Sequence, residues 1–127
     1  MTTLQQAYIV AATRSPIGKA PRGSLSHYRP DDLLARVIQG VLAQAPNLDP
    51  AAIEDAIVGC AIPEGSQGFN VARIGVLLSG LPNSVAGVTV NRFCASGLTA
   101  ITMAADRIRV GEADVIIAAG IESMSQV

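Results

Sequence analysis

The chain has 127 residues, half of them apolar, with a formal net charge of −1 and a sequence pI near 5.7. That balance gives no reason to expect nucleic acid as a partner, and the length suits one α/β domain with a real core. Charged residues make up only 15% of the chain, so part of the surface is expected to be covered by another subunit or by further chain. The start, Met1 to Gln6, has neither the basic region nor the apolar stretch of a secretory signal, and no apolar run approaches a membrane span. Two widely separated cysteines, Cys60 and Cys94, make no disulfide framework, and the composition predicts a cytoplasmic protein.

The predicted elements alternate. Ala7–Thr13 is a short apolar, partly β-branched run and is expected to form a buried strand. Arg14–Ser26 is rich in Gly, Pro and Ser and reads as a loop. A helix is expected over Asp31–Gln44, with Leu33, Leu34, Val37, Ile38, Val41 and Leu42 on one face and Pro46 beyond its end. Asp49-Pro50 predicts a short helical turn, Asp49 capping it and Pro50 in its first position. A second strand is expected over Asp55–Ile62, then a loop from Pro63 to Gly68. The next helix spans Asn70–Ser79, with Val71, Ile74 and Leu78 inward, Gly80 at its C-terminal cap and Pro82 blocking continuation. Gly87–Asn91 reads as a third strand, Ser96–Val110 as a third helix with Leu98, Ile101, Ala105 and Ile108 inward, and Asp114–Gly120 as a fourth strand. Strand and helix in alternation, with strands that are continuous apolar runs, predict a mostly parallel four-stranded sheet covered on both faces.

Cys94 falls where the third strand gives way to the third helix. A helix start presents unpaired N–H groups and the positive end of a dipole, which favour thiolate, the form that attacks carbonyl carbon. Ala95, Ser96 and Gly97 leave room beside the sulfur. Composition and spacing alone leave Cys94 open between nucleophile and packing residue, because no general base stands near it in sequence. The single histidine, His27, sits in Ser26-His27-Tyr28 and reads as a surface or capping residue; Cys60, within a strand pattern, reads as core. Glu122 is the acid at the end of the fourth strand, where ligands bind in such sheets, and reads as solvated or as a loop brace. No phosphate-binding glycine loop and no metal-ligand spacing is found.

Four segments resemble the thiolases, the acyl-CoA C-acyltransferases: Arg14-Ser15-Pro16-Ile17-Gly18-Lys19, Gly68-Phe69-Asn70-Val71-Ala72-Arg73, Val90-Asn91-Arg92-Phe93-Cys94-Ala95-Ser96-Gly97-Leu98, and Ala119-Gly120-Ile121-Glu122-Ser123-Met124-Ser125. They occur in the family's order. The segment Ile62–Gly68 and Arg92-Phe93 are similar to the degradative 3-ketoacyl-CoA branch more than to the biosynthetic, acetoacetyl-CoA-forming one. The resemblance implies a thiolase-like N-terminal half-domain over 1–127, with Cys94 as the residue acylated during thiolysis of a 3-ketoacyl-CoA in fatty acid β-oxidation. It implies coenzyme A as a substrate and no bound cofactor or metal. It implies a homodimer or tetramer paired through the edge of strand 87–91.

The family's Gly-His-Pro histidine, its Asn in an N-E-A-F-like motif and its second cysteine belong to a C-terminal part absent from these 127 residues. So does an antiparallel strand that completes the sheet, so the edge beside the fourth strand is expected to be unpaired or paired in trans. Ile121 to Val127 has no resemblance to a finished domain end. Three readings follow: an enzyme piece that works with a complementary C-terminal part, a non-catalytic assembly module, and, ranked below both, a related condensing enzyme such as a ketoacyl synthase.

Overall fold

The computed structural model describes residues 3–127. Six principal elements follow one another: α1 (Pro30–Leu42), β1 (Asp55–Gly59), α2 (Val71–Leu78), β2 (Ala86–Val90), α3 (Ser96–Arg109) and β3 (Ile116–Gly120), with single 3-10 turns at Pro50–Ala52, Gly65–Gln67 and Phe93–Ala95. The strands form one parallel sheet in the order β2-β1-β3, with Asp55 in register with both Ala86 and Ile116.

The expected strand at Ala7–Thr13 is not formed. That segment joins no sheet among the described residues. Its backbone is held instead by Gln44, whose Nε2 donates to the Ala12 carbonyl at 2.9 Å and whose Oε1 accepts from the Ala12 N–H at 3.2 Å. Tyr8, Ile9 and Val10 consequently stand 76–84% exposed. The sheet therefore has three strands rather than four, and all are parallel.

β1 is the centre of the molecule, all five of its residues buried. Alternate side chains serve opposite faces, as the pleat requires. Ala56, Val58 and Cys60 pack with Leu34 and Ile38 of α1 and with Val71, Ala72 and Val76 of α2. Ile57 packs with Ala100 and Ala104 of α3. Helices thus cover both faces. The same alternation puts Asp55 on the α3 side, where Arg107 of that helix bonds its carboxylate at 2.5 Å.

Several local signals act as expected. Asp49 accepts from the Ala51 N–H at 2.9 Å, with Pro50 leading its turn. Asn70 caps α2 by accepting from the Arg73 N–H at 3.2 Å, and Gly80 leaves that helix at a φ of +84°. The inward faces of two helices differ from the periodic reading. In α2 the buried residues are Val71, Ala72, Gly75 and Val76, whereas Leu78 is half exposed. In α3 they are Ser96, Ala100 and Ala104, whereas Leu98 and Ile101 face outward. At Gly75 close packing admits only the smallest residue. A methyl group on Gly75 would meet Leu34 Cδ2 at 2.5 Å, so α1 and α2 approach too closely for larger side chains.

Candidate active site

Because the strands are parallel, their carboxyl ends share one edge of the sheet, and the three loops leaving it lie together. The loop after β1 carries Cys60 to Gln67, the loop after β2 carries Asn91 to Ala95, and the loop after β3 carries Ile121 to Val127.

Cys94 is the middle residue of the 3-10 turn that opens directly into α3, and it is exposed. Two side chains shape this turn. Asn91 Oδ1 accepts from the Phe93 N–H at 2.9 Å, and Ser96 Oγ accepts from the Arg92 N–H at 2.8 Å while donating to the Phe93 carbonyl at 2.7 Å. Phe93 adopts a φ of +50°, a left-handed conformation that is costly for a bulky residue and that needs such anchoring. The turn presents the thiol outward at the start of a 14-residue helix.

Cys60 is the opposite case. It is 1% exposed and packs in the core. Its thiol lies 3.9 Å from Glu122 Oε1. Burial first, and the Glu122 carboxylate second, push its pKa from an ordinary 9.0 up to about 11. The fold therefore favours the neutral thiol. The stability tied to that preference is intact below pH 9.0 and is lost as pH rises toward about 11. Iodoacetamide at neutral pH is expected to label Cys94 and spare Cys60, as peptide mapping would read. Cys60→Ala is expected to cost about 1 kcal/mol of stability through lost core packing, with a smaller effect on turnover. Equal losses of turnover for Cys60→Ala and for a Cys94 substitution would contradict this division.

Glu122 is a loop brace. Its carboxylate accepts from the Ala61 N–H (2.7 Å), the Ile62 N–H (3.2 Å) and Gln67 Nε2 (2.7 Å). Gln67 is fully buried, and its Oε1 accepts from the Ser123 N–H at 2.7 Å. His27 is exposed in the turns before α1 and is not among the groups bonded to the Cys94 turn. Two open depressions, of about 310 Å³ beside Tyr28 and Asp32 and about 430 Å³ over Lys19–Gly23, do not include Cys94. Among the described residues no cluster of His, Cys, Asp and Glu is arranged to hold a metal, and no helix is long and apolar enough to cross a membrane.

Gln67 carries no signal in the sequence that points to its role, since it works across 55 residues to reach Glu122. Asn91 does carry one. An Asn two residues before a turn amide is the pattern of an Asx turn.

The thiolase N-terminal domain model matches residues 7–127. The chain belongs to the thiolase family. The 3-ketoacyl-CoA thiolase of Bacillus subtilis is 48% identical over 124 residues, which cover 98% of this chain and 32% of that protein. The 3-oxoadipyl-CoA/3-oxo-5,6-dehydrosuberyl-CoA thiolase of Escherichia coli is 46% identical over 97% of the chain and 30% of its own length. The crystal structure of the Bacillus anthracis acetyl-CoA acetyltransferase superposes with a TM-score of 0.91 at 34% identity, over 99% of this chain and 31% of that one. The thiolase chain thus spans about a third of the length of the relatives it matches, and its fold is theirs over that third.

Proposed function

We propose that this chain is the N-terminal part of a thiolase that cleaves a 3-ketoacyl-CoA with coenzyme A, and that Cys94 carries the acyl group. The single observation that carries the reading is the exposed Cys94 thiol on an anchored turn at the start of α3. In the reaction, the Cys94 sulfur attacks the 3-keto carbon. The C2–C3 bond breaks, its electron pair stays on C2, and C2 takes a proton as acetyl-CoA departs. The thiol of a second coenzyme A then attacks the acyl-sulfur carbonyl, and the acyl group leaves as a thioester two carbons shorter. The Cys94 thiol is regenerated, and no oxidant or bound cofactor is consumed. The N–H groups at the α3 start are suited to hold the oxyanion formed in either attack.

Among the described residues no base is bonded to Cys94, so proton transfer is assigned to a complementary C-terminal part. The free edges of the sheet agree with that assignment. Among the described residues β3 has one unpaired edge, available to a strand from the complementary part, and β2 has another, available to a second copy for a homodimer or tetramer. The degradative branch is favoured by Arg92-Phe93 and by the loop Ile62–Gly68. A cytoplasmic setting goes with this reading.

The test is mass spectrometry of the complete enzyme after brief exposure to a 3-ketoacyl-CoA with no free coenzyme A. The expected result is one acyl adduct, mapped to Cys94 and discharged on adding coenzyme A. Absence of the adduct, with the C-terminal part present, would leave the assembly-module reading in its place.

A further inference from the structure

We infer that Asn91 is a positioning residue for the Cys94 thiol, locking the nucleophile turn to the carboxyl end of β1; this rests on the reading of Cys94 as the acyl carrier. The turn contains a strained residue. Phe93 at a φ of +50° is in a strained left-handed conformation, which persists only if its surroundings hold it. Ser96 provides part of that hold, but it belongs to the helix the turn itself begins. Asn91 reaches elsewhere. While its Oδ1 accepts from the Phe93 N–H, its Nδ2 donates to the Ala61 carbonyl at 3.0 Å, 30 residues away in the loop after β1.

Ala61 is itself a fixed point. Its N–H donates to Glu122 Oε2, and the other oxygen of that carboxylate holds the Ile62 N–H and Gln67 Nε2. Gln67 Nε2 also donates to the Ile62 carbonyl at 2.7 Å. A continuous path therefore runs from the loop after β3 through Glu122 to Ala61, then through Asn91 to Phe93 and the Cys94 turn. It fixes the sulfur relative to the sheet, not merely relative to its own helix.

Stability does not account for Asn91. The residue is exposed, and exposed polar pairs contribute little to folding. Its removal frees Phe93 to relax toward negative φ, and that rotation carries the adjoining Cys94 peptide with it. A displacement of the order of 1 Å at a nucleophile costs up to about a hundredfold in rate.

The experiment compares Asn91→Ala and Asn91→Asp with the parent and with Cys94→Ser, all in the complete enzyme. Asn91→Asp keeps an oxygen for the Phe93 N–H and loses the donor to Ala61. Steady-state thiolysis and the rate of iodoacetamide capture at Cys94 are both read. Asn91→Ala is expected to lower kcat by about 10- to 100-fold with KM changed less than about threefold. It is expected to slow alkylation, and Asn91→Asp is expected to recover part of both losses. Turnover of Asn91→Ala within about twofold of the parent, an experimental margin well inside the hundredfold scale of misplacement, overturns the inference. So does a loss that merely tracks the amount of folded protein. Should the parent form no acyl-enzyme, the thiolase reading falls. The alkylation comparison then still decides whether Asn91 positions the sulfur.

Discussion

Replacing Cys94 with serine is expected to abolish acylation and to lower turnover by on the order of 10⁴-fold or more, because a serine hydroxyl is far less ionised than a thiol and forms no thioester. Folding is expected to change by less than about 0.5 kcal/mol, since the side chain is exposed and packs against nothing in the core. The two outcomes belong together. Circular dichroism and the denaturation midpoint would report an intact protein, while the acyl adduct is missing from the mass spectrum and product formation ceases. A Cys94→Ser enzyme that still turned over at the parent rate would remove Cys94 from the chemistry.

Gly59→Ala is expected to damage both stability and catalysis, although Gly59 has no chemistry of its own. Gly59 ends β1, and its Cα faces the first turn of α3. A methyl group there would be driven into the carbonyl of Ser96 and to within 2.6 Å of the Gly97 nitrogen. Both are backbone atoms, so the conflict cannot be relieved by a side-chain rotation. The helix start must move away from the sheet, at a cost of about 2–3 kcal/mol in overpacking. Ser96 is also the residue that holds Arg92 and Phe93, so its displacement is passed to the Cys94 turn. Turnover is expected to fall by about tenfold or more for the protein that remains folded. Measuring kcat per folded molecule, together with the denaturation midpoint, separates the two effects. A Gly59→Ala enzyme with parent stability would show that α3 does not seat on Gly59 as described.

These two positions differ in how readable they are. Cys94 is legible because its signal is local: an apolar strand run, a cysteine, small residues and a helical period in immediate succession, reinforced by a motif that resembles the thiolases. The caps at Asp49 and Asn70 and the C-terminal Gly80 are legible for the same reason, since each acts within three residues of itself. Gly59 is not. A glycine inside a strand marks a close approach by some backbone, but its sequence neighbours do not say which one.

The alternation of strand and helix, the parallel sense of the sheet and the place of Cys94 at a strand-to-helix joint were all decided by local pattern, because periodicity and turn chemistry operate over a few residues. Contacts between distant segments decided the remainder. Ala7–Thr13 has the composition of a buried strand, yet pairing needs a second backbone alongside, and among the described residues the segment is paired with none. The inward face of α2 kept Val71 and added Gly75 and Val76 in place of Leu78, and that of α3 went to Ala100 and Ala104 rather than to Leu98 and Ile101, because the distance between packed elements as well as hydrophobicity selects the side chain that fits. Glu122, Gln67 and Asn91 become a single brace only when parallel strands bring three loops to one edge, a juxtaposition that no spacing along the chain encodes.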